Sequence, residues 1–401
     1  MEMRDVVLVA YGRSAATRAF KGSFAKMHPI EYGAQVLNGV LARVPQLDPN
    51  DIEDVIVGCA MQFGETSMNV AQLIVNRAGL PDSISGMTVN RFCSSGLQTI
   101  STACNAIACG QGDVYVAGGI ESMSLTFGAY PSYQGKCDDQ WLVKNYPGAY
   151  MSMGVTAENV AKKFNITREE MDAMAVASHA KAAKAQAEGK LAPSIIPVTV
   201  TNSDGTPVLG EDGQPIVVTK DEGIRPTTNM EGLAKLKTCF VPEAEGGLVT
   251  AGTSSQTNDC AAFVVVMAAE KAAELGIKPI ARLKSFAVAG CDATLMGLGP
   301  IYAVPKAMAR AGLTIDDMDV IEINEAFASQ SIACIRTLGL PMEKVNPYGG
   351  ALALGHPLGC TGARLIVTLM HSLKRTGKKL GLATLCIGGG QAMATLIEMC
   401  D

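Results

Sequence analysis

The sequence predicts an α/β fold in which one layered half is built twice, with a loop domain inserted into the first copy. Three observations predict it. Strand and helix signals alternate over residues 1–120 and again over 273–401, the pattern of βαβ units around a buried sheet. Two phrases recur between those stretches, so the second reads as a repeat of the first. Hydrophobic residues make up 48% of the 401, yet aromatics only 5%, beside 42 glycines. A core so poor in rings packs helices on sheets through small side chains.

Taken in order, Val6–Ala10 reads as a strand, residues 30–44 show helical periodicity and Asp54–Gly58 is a second strand. Asn69–Arg77 is helical and Gly86–Asn90 extended. A helix over Ser94–Cys109 is stopped by Gly110, and Asp113–Gly119 is the next strand. The second stretch runs helix Ala303–Ala311 ended by Gly312, strand Asp319–Ile323 and helix Ala326–Leu338. A short extended piece at Lys344–Pro347, helix Thr361–Arg375 and strand Lys379–Ile387 follow, leading into Gly388–Gly390. Leu47–Val57 corresponds to Leu313–Ile323, and Asp113–Gly119 to Leu382–Gly389.

Residues 121–249 differ. They hold a polar stretch at Tyr130–Tyr150, an Ala- and charge-rich helix at Arg168–Ala187 that reads as exposed, and a hairpin-like piece at Asn202–Gln214. The expected division is a first half at 1–120, completed by about 250–272, an inserted loop domain at 121–249 and a second half at 273–401. Loops on a rigid scaffold commonly carry binding, so the insertion is expected to be a lid.

Composition excludes several classes. A net charge of −5, from 33 basic and 38 acidic residues, offers no case for nucleic-acid binding. No apolar run reaches the ~18 residues of a membrane span. Twelve scattered cysteines include no CxxC pair, which argues against a disulfide framework and a zinc site. Reduced thiols, with no presequence before Asp5 and no peroxisomal address at Glu398–Asp401, give a cytoplasmic expectation and no metal.

Four histidines narrow the choice of base. His28, His179 and His371 lie in polar or charged surroundings and read as solvated surface residues. His356 stands between Gly349 and Gly362, a loop with five glycines where backbone can approach a ligand closely. Among the thiols, Cys93 follows a strand and opens a helix, where the dipole favours the thiolate. Cys386 precedes Gly388–Gly390, whose N–H groups could serve an oxyanion. Cys104, Cys109, Cys260, Cys334 and Cys360 read as small core residues. The glycine loop lacks the GxxxxGK[ST] spacing of a phosphate cradle, and no GxGxxG follows the first strand.

Five phrases, in order, resemble the signatures of the thiolase family: Asn90–Gly96, Gly118–Met123, Asn324–Phe327, Gly355–Gly359 and Cys386–Gly390. The resemblance covers essentially the whole chain. It implies a duplicated five-layered α-β-α-β-α fold with an inserted loop domain. It also implies roles: Cys93 as the acyl-carrying nucleophile, His356 as its base, and Cys386 as the acid/base at the departing acetyl-CoA carbanion. Asn324 would hold a water that forms one oxyanion hole with His356, and the N–H groups of Cys93 and Gly388 would form the other. Arg225 resembles a contact to the nucleotide end of coenzyme A, Ser255 one to its pantetheine arm, and Met153 a pocket wall. The implied reaction is thiolytic cleavage of a 3-oxoacyl-CoA, with CoA as substrate and no bound cofactor or metal. The family generally forms homodimers or homotetramers.

Some positions bear on substrate. Ser152 stands where acetoacetyl-forming members commonly have His, and Ser254-Ser255-Gln256 where they often have Ala-Ser-Gly. Both, with Gln391, lean towards degradative 3-ketoacyl-CoA thiolases, the alternative being a biosynthetic acetyl-CoA C-acetyltransferase. Ala392, where Gly is usual, is left without a reading. Decarboxylating ketoacyl synthases use two catalytic His, and a non-catalytic lipid carrier need not keep all four residues, so both are disfavoured.

Overall fold

Val6–Arg13 forms the first strand, buried on both faces after its first residue, which is why it reads as a continuous apolar run rather than an alternating one. The computed structural model describes residues 3–129 and 135–400. From this strand, β1, the chain runs through β2 (Thr17–Arg18), α1 (Pro29–Leu41), β3 (Asp54–Gly58) and α2 (Val70–Arg77). β4 (Ser85–Val89), α3 (Ser95–Ala108) and β5 (Val114–Ser122) follow. A long excursion comprises α4 (Met123–Ala129), α5 (Gln140–Asn145), α6 (Met153–Lys163), α7 (Arg168–Ala187), β6 (Val198–Thr199), β7 (Val217–Val218) and α8 (Met230–Ala234). The chain returns through β8 (Asn258–Ala268) and α9 (Ala269–Glu274). It then continues as β9 (Ala281–Gly290), α10 (Pro300–Ala311), β10 (Val320–Ile323), α11 (Ala328–Leu338) and α12 (Ala351–Leu354). The last elements are α13 (Leu358–Thr376), β11 (Leu380–Ile387) and β12 (Gln391–Met399).

The strand order states the duplication. One half reads β1-β8-β5-β3-β4, the other β9-β12-β11-β10. Val345 bridges Ile321 in parallel as a fifth member of the second half. Both halves alternate direction in the same way: two antiparallel pairings, then parallel ones. They meet at a single β1–β9 pair, Leu8 opposite Ala281. Three apolar cores separate the layers. The first lies between α1, α2 and one sheet, and the third between α10, α11 and the other. The second encloses α3 and α13 between both sheets. The result is the five-layered α-β-α-β-α arrangement.

α3 and α13 cross backbone to backbone at their first turns. A Cβ on Gly362 would lie 2.4 Å from Leu97 N, and one on Gly96 2.8 Å from Ala363 N, so only glycine permits this approach. In neither helix does the N-cap residue's own side chain bond the first turn, and the crossing brings two positive dipole ends to one place.

Elsewhere the structure corrects the sequence reading. α7 keeps its bounds and starts with a Thr167–Glu170 capping box, but it is not an exposed helix. Met171, Ala175, Ser178, His179 and Ala182 are buried, because small residues let one face pack while the charges occupy the other. β8, β9 and β12 were not anticipated. Ala392 opens β12 buried, and a Cβ on Gly299 would lie 2.6 Å from its own, so the position is packed against α10's start. The insertion is tied to the sheet by a buried pair: Arg13 donates to both Asp221 oxygens, at 2.6 and 2.8 Å. Within the polar stretch Tyr130–Tyr150, residues 130–134 lie outside the described residues.

Candidate active site

Cys93 sits two residues before α3 and His356 two residues before α13, so the helix crossing gathers both lead-in turns. The Phe92–Ser94 turn packs against α13 and β11. Phe92 holds φ of 44°, which costs energy for an aromatic residue and is held by its neighbours. Its N–H donates to Asn90 Oδ1 at 2.8 Å, and Ser95 Oγ donates to its carbonyl at 2.6 Å while accepting from Arg91 N–H at 2.9 Å. Arg91 also donates to Gln391 Oε1 at 3.3 Å, and Gln391 Nε2 to Gly388 O at 3.4 Å. Gln391 therefore ties the Cys93 turn to the triple glycine.

Cys93 is not the thiolate that its helix position predicts. Burial pushes Cys93 up to about 11, although the N–H groups of Gly388 and of Cys93 itself pull it down. A helix start favours the thiolate in principle, but desolvation of a charged sulfur outweighs the N–H donors here. Cys386 is buried beside Cys93, and burial, then the neighbouring thiol, raises it well above the usual thiol range. The two sulfurs thus rest protonated, with Gly388 N–H aimed at the first.

His356 is neutral as well. Burial lowers its pKa to about 3, with the Arg364 charge contributing. Its Nδ1 lies 2.7 Å from Thr361 Oγ1. That hydroxyl donates to Pro357 O at 2.8 Å, so it must accept from the ring. The proton therefore sits on Nδ1, and Nε2 keeps its lone pair as a base. Asn324 Nδ2 lies 3.5 and 3.4 Å from the two ring nitrogens. The turn after Asn324 is braced by buried Glu325, which accepts from Ser178 Oγ at 2.6 Å, Asn346 Nδ2 at 2.8 Å and Leu352 N–H at 3.2 Å.

The thiolase N-terminal domain profile matches residues 6–270, and the C-terminal domain profile residues 277–399. The chain belongs to the thiolase family. It is 45% identical to the 3-ketoacyl-CoA thiolase of Bacillus subtilis (strain 168), over 99% of this chain and all of that one. It is 44% identical to the 3-ketoacyl-CoA thiolase of Idiomarina loihiensis, with the same coverage. The crystal structure of the Bacillus anthracis acetyl-CoA acetyltransferase superposes with a TM-score of 0.89 at 38% identity, covering both chains fully.

In this thiolase the remaining predicted residues are spread around the centre. Met153 opens α6, its sulfur 3.5 Å from where a Cβ on Gly388 would sit. Ser255 N–H donates to Ala326 O at 2.9 Å, and Gln256 O accepts from His356 N–H at 2.9 Å, so this segment lies between the Asn324 turn and the His356 loop. Arg225 is exposed, and among the described residues it makes no hydrogen bond or ion pair to Cys93. Its N–H donates to His179 Nδ1 at 3.1 Å. A surface cavity of about 590 Å³ opens near the other end of α13, between Arg43, Lys278 and Lys378, and holds none of these residues.

The other histidines and one thiol need correction. His28 is exposed and caps α1, as a surface residue should, but His179 and His371 are buried at 4% and 7% exposure. His179 anchors the Arg225 segment, and His371 Nε2 pairs with Lys190 O at 2.6 Å, so each holds insertion backbone. Cys109 is exposed at the end of α3, not core. Sequence reasoning missed Thr361 and Glu325. The first sits in the glycine loop five residues past the base; the second gave no local sign, its partners being 21 to 147 residues away.

Proposed function

We propose that this thiolase cleaves 3-oxoacyl-CoA with CoA to acetyl-CoA and a shortened acyl-CoA, through an acyl-enzyme on Cys93. The observation that carries the reading is the Cys93 thiol beside Gly388 N–H and Cys386, with a neutral imidazole on the opposing lead-in turn. His356 Nε2 takes the Cys93 proton as sulfur attacks C3. The C2–C3 bond breaks, its electron pair leaves as the acetyl-CoA enolate, and the Cys386 S–H proton moves to that carbon. CoA then gives its thiol proton to the Cys386 thiolate as its sulfur attacks the acyl carbonyl, and Cys93 departs and takes back the proton held by His356. The N–H groups of Cys93 and Gly388 would serve one oxyanion, and Asn324 with His356 the other, each removable donor contributing about 10²–10³ in rate.

CoA enters as a substrate, and the scheme uses no bound cofactor or metal. Arg225, with no side-chain partner among the described residues, would meet its nucleotide end; Ser255 and Met153 would line the path inward. Ser152, the Ser254–Gln256 segment and the relatives' names favour a broad-chain degradative role in lipid metabolism, with acetoacetyl-CoA synthesis as the alternative. A homodimer or homotetramer is supported by β4, a free sheet edge that exposes Met87, with Leu73 on α2 and Met68 just before it also exposed. Cytoplasmic placement fits twelve free cysteines.

Thiolysis of acetoacetyl-CoA followed by loss of enolate absorbance tests the chemistry: Cys93→Ala is expected to abolish turnover, and an unchanged rate sinks the assignment. Measuring kcat/KM against chain length tests the branch, and a strong preference for the four-carbon substrate refutes the degradative reading.

A further inference from the structure

Glu121 belongs to the Gly118–Met123 phrase, to which the proposed reaction gives no role. Near the end of β5, its side chain is fully buried. Among the described residues it has no salt-bridge partner. Four donors converge on it instead. Oε2 accepts from Gly359 N–H at 2.7 Å and Ala60 N–H at 3.0 Å. Oε1 accepts from Met61 N–H at 3.2 Å and faces the Cys59 thiol at 3.7 Å.

These donors come from both copies of the fold. Ala60 and Met61 follow β3, whereas Gly359 is the second residue of α13, three past His356. The backbones there have no room to shift. A Cβ on Gly359 would lie 2.7 Å from Ala60 N, and one on Gly119 2.2 Å from Gly359 O. From behind, Tyr32 Oη donates to the Glu121 carbonyl at 2.8 Å.

We propose that Glu121 is a positioning residue: it clamps the first turn of α13 to the end of β3 and so holds His356 in register for proton transfer with Cys93. The inference rests on the Cys93–His356 reading above. A carboxylate is the one side chain that accepts from every neighbour at once, and a protonated one would aim an O–H at a donor. Yet burial, opposed by the Gly359, Ala60 and Met61 N–H groups, pushes this carboxyl up to about 7. With the folded pKa above the unfolded one, its contribution to stability is full below about pH 4.5 and is lost as pH rises through 7. The charge needed for the clamp therefore opposes folding, which marks function rather than filler.

Few nearby groups confuse a titration. Tyr32 on α1 and Cys59 after β3 are raised well above their usual ranges, and Cys93 lies at about 11. On β8, Asp259 sits at about 6, and Cys260, opposite Glu121, is lowered against its burial by Cys360 and the permanent charges of Arg13 and Arg364.

The test follows single-turnover acylation and steady-state kinetics from pH 5.5 to 8.5 in wild type, Glu121→Gln and Glu121→Asp, with amide exchange of the segment 355–362. Wild type is expected to gain rate through a midpoint near 7. Glu121→Gln is expected to lose that limb, drop kcat about tenfold or more at pH 8 with KM changed less than about threefold, and exchange faster at 355–362. Glu121→Asp, one methylene short, should restore part of the rate. A Glu121→Gln enzyme with wild-type kcat and the same limb overturns the proposal, as does a fall in kcat with unchanged exchange. Should that variant not fold, a wild-type profile with no rising limb anywhere between pH 5.5 and 8.5 overturns it alone. Turnover that survives Cys93→Ala and His356→Ala removes the centre itself, whereas loss in those two with an intact Glu121→Gln sinks the clamp only.

Discussion

Thr361 gives His356 its usable tautomer, and the chain of donors is short: ring to hydroxyl, hydroxyl to the Pro357 carbonyl. Thr361→Val keeps the shape and removes the acceptor. We expect kcat to fall about 10- to 100-fold, part of what a positioned base supplies, while the circular dichroism spectrum and Tm hold. Thr361→Ser should recover most of the rate. The positions of the candidates were legible at this scale: Cys93 at a helix start, His356 among glycines and Cys386 before Gly388, with the roles proposed for them resting on the thiolase resemblance. Their charge states were not. Whether a dipole or desolvation decides a thiol depends on what covers it, and Cys93 is covered by segments as remote as Gly388. Glu121 stayed silent for the same reason, since its partners lie 61 and 238 residues away.

At the scale of elements, the α3–α13 crossing fixes everything above it. Gly362→Ala would drive a Cβ to 2.4 Å from Leu97 N, a contact with backbone that cannot rotate aside. Overpacking of this kind costs about 1–3 kcal/mol or more. The urea midpoint is expected to fall together with kcat, because the two lead-in turns move apart; a variant stable and active as wild type refutes the crossing's role. Helix and strand positions in both halves were readable from apolar runs and glycine stops. β8, β9 and β12 were not. The alanines of β9 and β12 favour helix over strand, and cross-strand pairing such as Cys386 with Ala392 decides for strand.

At the scale of the whole molecule, the insertion is fastened by many hydrogen bonds, and Arg13–Asp221 is its most buried ion pair to the first sheet among the described residues. Burial acts to raise Asp221, yet the Arg13 charge beside it holds it below the usual carboxylate range, so its contribution is present above about pH 4 and lost as pH falls further. Asp221→Asn strands a buried guanidinium. We expect a loss of about 3–5 kcal/mol in the unfolding free energy at pH 7, read from urea denaturation, and faster proteolysis within the insertion. The insertion's existence was plain from the change in composition, but its attachment was not, since the two charged residues are 208 apart.

The duplication carries one further consequence. Cys93 and His356 hold equivalent offsets before equivalent helices, yet one is a sulfur and the other an imidazole. Two identical halves would present the same side chain at both places, so the pairing of a thiol with an imidazole proposed here requires the two copies to differ in sequence at these positions.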